Sequence, residues 1–119
     1  MSELAMVIED DEDLATIFTE ALQAAHYEVE TIRDGLTAQE RLTEEVPQVI
    51  ILDMHLPGVD GTELITQIHA DPRLKETKVI IATADARMGE TYTDEVDLVL
   101  IKPIAFTQLR DLTIRLHKQ

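Results

Sequence analysis

The chain has no cysteine, which excludes both a disulfide framework and a thiol nucleophile. No apolar run approaches the roughly 20 residues that a membrane-spanning helix needs. The opening residues, MSELAMVIEDD, lack the basic and long apolar regions of a signal peptide, so a soluble, cytoplasmic protein is expected. Basic residues are scarce as well: 10 Lys and Arg stand against 24 Asp and Glu, a net charge of −14. Nucleic-acid affinity depends heavily on Lys and Arg neutralising phosphates, so direct nucleic-acid binding is not expected. Solubility accounts for most of the acid. It does not account for acidic residues placed directly after a buried apolar run.

Such runs are what the sequence does have. The 119 residues are 45% hydrophobic, enough for one domain with its own core, expected to span residues 1–119. Residues 4–8 (LAMVI) run into Glu9, Asp10 and Asp11, and residues 49–52 (VIIL) end at Asp53. Residues 79–82 (VIIA) end at Thr83, and residues 98–101 (LVLI) end at Lys102 and Pro103. Short continuous apolar runs bounded by polar or turn residues read as strands buried on both faces of a parallel sheet. Residues 27–31 (YEVET) alternate instead and read as a strand near an edge.

Helical spacing fills the gaps between these strands. Leu14, Ile17, Phe18, Ala21 and Leu22 follow Asp13 as a candidate N-cap and carry a helix to about residue 25. A second helix opens at Asp34 and Gly35 and stops before Pro47, and a third covers residues 62–69. A last helix is expected over residues 104–117, with Phe106, Leu109, Leu112 and Leu116 on its apolar face. Residues 85–97 contain Gly89 and several Thr and Asp, so a helix there should be short or irregular. The βα alternation with right-handed crossovers gives an α/β fold, a doubly wound five-stranded parallel sheet with helices on both faces.

In open α/β sheets the functional crevice lies outside the carboxyl ends of the strands. Asp10, Asp11, Asp53, Thr83 and Lys102 all fall there. Two carboxylates about 4 Å apart repel by about 4 kcal/mol at a surface-like effective dielectric, so protons or a cation must relieve the cluster. Oxygen-only ligands suit a hard divalent ion, and Mg²⁺ usually takes one or two carboxylates and keeps waters for a phosphate ligand. A carboxylate nucleophile, a metal, an ammonium and a hydroxyl together are what a phosphoryl group in transfer needs.

Each residue alone has an ordinary reading. Asp10 and Asp11 could cap a helix, Asp53 could open an Asx-turn, Thr83 could reflect β-propensity, and Lys102 could be a solvated lysine. Their joint occurrence at four strand ends sets those readings aside. The histidines carry no comparable signal. His26, His69 and His117 fall at expected helix ends, where a dipole role is ordinary, and no pair has metal-ligand spacing. His55 lies two residues after Asp53 and could affect water access.

At these residues the sequence resembles the receiver domains of two-component response regulators, over nearly the whole chain from Leu4 to about Leu116. The resemblance rests on Glu9-Asp10-Asp11, on Asp53 with the downstream Leu56-Pro57-Gly58-Val59-Asp60-Gly61, on Thr83-Ala84 and on Lys102-Pro103. It implies a flavodoxin-like sheet of order 2-1-3-4-5 and Asp53 as the phosphoacceptor, taking a phosphoryl group from a histidine kinase or histidine phosphotransfer protein. It implies Mg²⁺ held by Asp10, Asp11, Asp53 and the backbone carbonyl of His55. Lys102 would pair with the phosphoryl oxygens, Thr83 would swing in to hydrogen-bond the phosphoaspartate, and the small Ala84 would leave access. The chain would be a signalling phosphoacceptor rather than an enzyme, assisting its own phosphorylation and dephosphorylation. An output partner or domain is implied but not named, and a phosphorylation-dependent dimer stays open. No effector domain is read after the last helix.

Two positions depart from the family pattern. The aromatic residue usually found three positions before the strand-5 lysine is Val99, and the usual Gly-Ala before that strand is Glu95-Val96. A ring cannot relay the signal, so residues 84–97 are expected to change order on phosphorylation. Three other readings fit less well. A haloacid-dehalogenase-like phosphatase would carry Asp-x-Asp on its first strand. A flavodoxin-like FMN carrier would need hydroxyls and glycines where Glu9-Asp10-Asp11-Glu12 stand. A phosphorylation-dead interaction module would not need the full acidic set.

Overall fold

The computed structural model describes residues 3–117. Five parallel strands, β1 (Glu3–Ile8), β2 (Tyr27–Ile32), β3 (Val49–Asp53), β4 (Lys78–Thr83) and β5 (Leu98–Ile101), lie in the order β2-β1-β3-β4-β5. Between and after them come α1 (Glu12–Ala24), α2 (Gly35–Glu44), α3 (Gly61–Ala70), α4 (Ala86–Tyr92) and α5 (Phe106–Ile114), with a 3-10 turn at Pro72–Leu74. The expected architecture and strand order are those observed. β2, the least apolar strand, is at one edge.

Alternation along the buried strands divides the core into two apolar layers. Met6, Ile8, Ile50, Leu52 and Ile81 face one side, against Ala38 and Leu42 of α2 and Leu64, Ile65 and Ile68 of α3. Ala5, Val7, Val49, Ile51 and Ile80 face the other, against Phe18, Ala21 and Leu22 of α1 and Leu109 of α5. This double burial is why these strands read as continuous apolar runs rather than alternating ones.

Aspartates start the helices. The carboxylates of Asp11, Asp34, Asp60 and Asp85 accept backbone N–H groups at the N-termini of α1, α2, α3 and α4. Each satisfies donors that the helix itself cannot, an arrangement worth about 1 kcal/mol per cap. The first cap is thus Asp11 rather than Asp13, which lies inside α1's first turn. Gly35 is required by close approach, since a Cβ there would lie 1.6 Å from the Val59 carbonyl oxygen.

The last helix is shorter than expected, ending at Ile114 rather than at residue 117. Beyond it the chain tightens: Leu116 N–H donates to the Thr113 carbonyl, and His117 N–H to that of Ile114. This turn brings the His117 ring onto Tyr27, with centroids 4.0 Å apart and planes 18° from parallel. Its ring nitrogens meet the Glu3 carboxylate and the Ala25 carbonyl. The buried Tyr27 hydroxyl donates to the Thr113 carbonyl at 2.9 Å. Burial, with a smaller contribution from Glu3, pushes that phenol up to about 12. These contacts tie the end of α5 to the amino-terminal edge of the sheet, opposite the strand ends that carry the acidic residues.

The two kinds of contact should differ in cost. Phe18→Ala empties a fully buried site and should cost about 3–5 kcal/mol in urea unfolding. Tyr27→Phe removes one buried hydrogen bond and should cost about 1 kcal/mol. Equal losses would show that α5 docking, not the apolar layer, dominates stability.

Candidate functional site

Parallel pairing brings the strand ends into one crevice. In register, Asp53 stands opposite Ala82 and Thr83 opposite Ile101. β1 ends one residue before Glu9, whose N–H still donates to the Ile32 carbonyl of β2 at 3.0 Å. Glu9 therefore continues the strand, and its side chain enters the crevice while the chain turns outward at Asp10. Arg33, just past β2, donates its Nε to the Asp10 carbonyl at 3.2 Å and pins that turn.

Among the described residues, carboxylate oxygens of Glu9, Asp10 and Asp53 all lie within 4.8 Å of one another. Glu9 is 1% exposed and Asp53 is 4% exposed, whereas Asp10 reaches solvent. The Lys102 ammonium bridges the two buried members, 2.9 Å from Glu9 Oε1 and 3.7 Å from Asp53 Oδ1. Asp53 Oδ1 also accepts the His55 N–H at 3.1 Å, and Glu9 Oε2 accepts the Asp11 N–H at 3.2 Å. Burial pushes the Glu9 carboxyl up to about 7; Lys102 pulls it down and Asp53 pushes it up further.

Of the residues singled out in the sequence, Asp10, Asp53 and Lys102 meet in this cluster. Thr83 stands fully buried at the end of β4, where its hydroxyl accepts the Asp85 N–H at 3.0 Å. Lys102 N–H donates to the Thr83 carbonyl at 2.8 Å, joining the β4 and β5 ends. Ala84 and the His55 side chain are exposed. Asp11 is absent from the cluster; its Oδ1 accepts the Leu14 N–H at 2.9 Å as the cap of α1. Glu9 takes the place expected for it. The signal was position: Glu9, the first carboxylate after the buried strand, stays in line with it, Asp10 reaches the cluster from the solvent side, and Asp11 turns away to cap α1.

An oxygen-only donor set of this kind fits a hard divalent cation. The carboxylates are close enough to share one ion, and Lys102 only partly offsets their charge.

The sequence matches the family model described as response regulator receiver domain over residues 5–114. It is 34% identical over 106 residues to the phosphate regulon transcriptional regulatory protein PhoB of Rhizobium meliloti, an alignment covering 87% of this chain and 47% of that protein. It is 33% identical over 90 residues to the polar-differentiation response regulator DivK of Brucella ovis, covering 76% of this chain and 73% of that one. Among solved structures, the BeF3-activated receiver domain of DrrB from Thermotoga maritima superposes with a TM-score of 0.84 at 26% identity, covering 100% of both chains. The chain therefore belongs to the response regulator receiver domains of two-component systems. It spans about half the length of the PhoB relative. Among the described residues no helix is long and apolar enough to cross a membrane.

The raised Glu9 pKa has a measurable consequence. An unfolded glutamate releases its proton near 4.5 and the folded one near 7. Between those values the folded state binds more protons, so Glu9 makes stability fall as pH rises. In chelator, the wild type should lose stability from pH 4.5 to 7 relative to Glu9→Gln, with the difference levelling off above pH 7. Parallel denaturation profiles for the two proteins would show that Glu9 is not buried as a strained carboxyl.

Proposed function

We propose that Asp53 accepts a phosphoryl group from a phosphohistidine on a histidine kinase or histidine phosphotransfer protein, in a Mg²⁺-assisted reaction. The observation that carries this reading is the buried Asp53 carboxylate at the carboxyl end of β3, with an ammonium 3.7 Å away and two further carboxylates within ligand-sharing distance. An Asp53 oxygen attacks phosphorus, the P–N bond to the histidine breaks, and the imidazole leaves with its electron pair. The product is an acyl phosphate on Asp53.

Mg²⁺ would be held by Glu9, Asp10, Asp53 and the His55 backbone carbonyl, where it would neutralise charge between the carboxylates and the incoming phosphoryl group. The His55 N–H fixes the rotation of the Asp53 carboxylate. Lys102, already turned toward Asp53, offsets charge on the phosphoryl oxygens. The Thr83 hydroxyl can donate to the phosphoryl group once it gives up the Asp85 N–H. The exposed, small Ala84 leaves the crevice open to the donor's histidine. The same groups assist hydrolysis of the acyl phosphate, so the domain holds its signal for a limited time. A phosphoryl mimic in the DrrB neighbour supports the reading by likeness.

Two experiments test it. Acetyl phosphate with Mg²⁺ should add one phosphoryl group per chain, read by intact mass, and Asp53→Asn should take none. Labelling of Asp53→Asn at the wild-type level would place the acceptor elsewhere.

For the metal, Mg²⁺ should raise the melting temperature of the wild type, as any native-state ligand does. Asp10→Asn should abolish that rise. Asp11→Asn should retain it, with at most a small loss of stability through the altered cap of α1. A Mg²⁺ response lost in Asp11→Asn and kept in Asp10→Asn would return Asp11 to the ligand set.

A further inference from the structure

Arg41, Arg73 and Arg110 pair with carboxylates. Arg33 pairs with none among the described residues, although it stands just past β2 in reach of the acidic stretch that starts at Glu9. Its guanidinium goes to a neutral backbone group instead. Nε at 3.2 Å and Nη2 at 2.5 Å both donate to the carbonyl oxygen of Asp10. The loop that carries Arg33 is itself held from two directions. The Asp34 carboxylate accepts the Thr37 N–H at 2.8 Å, and the Gly35 N–H donates to the Pro57 carbonyl at 3.0 Å, in the loop that follows β3.

The oxygen that Arg33 holds belongs to the peptide between Asp10 and Asp11. The N–H of that same peptide, on Asp11, donates to Glu9 Oε2 at 3.2 Å. One peptide plane therefore links the guanidinium to the Glu9 carboxylate, whose other oxygen faces the Lys102 ammonium at 2.9 Å. A cation on the carbonyl polarises the peptide and strengthens its N–H as a donor. Holding the carbonyl also fixes ψ of Asp10, and with it the direction in which that residue presents its side chain.

We infer that Arg33 is a positioning residue for the cation site, holding the Asp10–Asp11 peptide so that the carboxylates of Asp10 and Glu9 both face Asp53. The inference rests on the reading of this cluster as a Mg²⁺ site. Arg33 does not touch the ion; its charge by itself opposes a second cation nearby, because like charges repel. Positioning and repulsion thus predict opposite outcomes when the guanidinium is removed. Loss of a mere surface cation would tighten Mg²⁺ binding. Loss of a clamp would loosen it, by the factor of about ten or more that groups orienting metal ligands contribute.

Arg33→Met separates the two. Its Mg²⁺ dissociation constant, read from amide shifts in an NMR titration at constant ionic strength, should be about tenfold larger than that of the wild type. Lys75→Met removes an equal charge from an exposed position before β4, at the opposite end of the strands. This control should bind Mg²⁺ no more weakly than the wild type.

A second readout needs no metal. In chelator, the Asp11 amide of Arg33→Met should move upfield and exchange faster as its bond to Glu9 relaxes. The Thr37 amide held by Asp34 should stay where it is, and the urea midpoint should hardly change, because Arg33 is exposed. An unchanged or smaller Mg²⁺ dissociation constant in Arg33→Met overturns the inference, as does an Asp11 amide that does not respond. A wild type without any Mg²⁺ response overturns the metal reading itself, and this inference with it.

Discussion

The Lys102 ammonium stands between Glu9 and Asp53, two carboxylates that the sheet places in the same buried crevice. Three strands converge on that contact, since β1 delivers Glu9, β3 delivers Asp53 and β5 delivers Lys102. Buried ion pairs contribute little net stability, because desolvation offsets the Coulomb gain. The Glu9 carboxyl, raised to about 7, shows that here the compensation is incomplete. The crevice is an expense that the two apolar layers sustain. That imbalance also makes it receptive to added positive charge.

Most of the scaffold was legible in the sequence because burial on both faces leaves little freedom of composition. The runs LAMVI, VIIL and VIIA are the three central strands; LVLI, read the same way, is instead the edge strand β5 with Ile101 45% exposed, and the residues after all four fall at the functional edge for topological reasons. Asp53 and Lys102 were legible for the same reason, each being the first polar residue after such a run. The acidic stretch from Glu9 to Asp13 was harder. Five consecutive acids offer several candidate caps and several candidate ligands, and residue type cannot choose among them. The choice is made by the Glu9 N–H bond to Ile32, which extends the ladder by one residue, and by Arg33, which holds the turn at Asp10. Both contacts come from β2 and its end, 23 residues away in sequence. The shortened α5 has a similar origin, since Tyr27 and Glu3 draw His117 out of helical geometry.

The acidic composition also has more structure in it than solubility requires. Four aspartates cap α1 to α4, and the capped N-termini of α1, α3 and α4 follow the carboxyl ends of β1, β3 and β4. In a parallel α/β sheet that is the same edge as the crevice. A helix N-terminus carries partial positive charge, which caps and nearby anions share. The aspartates thus organise the loops around the site and absorb helix dipole charge that would otherwise face the carboxylate cluster.

The site straddles a boundary between firmly and weakly held parts of the fold. Asp53 and Glu9 belong to the central strands, buried between two helical layers. Thr83 and Lys102 stand at the ends of β4 and β5, beside a four-residue edge strand and a seven-residue helix. Local opening is easiest where elements are short and one side is exposed, and Ile101 of β5 is 45% exposed. Of the groups around Asp53, the Lys102 ammonium at 3.7 Å belongs to the weakly held part, and the Lys102 N–H bond to the Thr83 carbonyl ties the two strand ends there together. The central strands therefore hold the Asp53 and Glu9 carboxylates in a fixed frame, while the ammonium that faces them rests on the edge of the sheet.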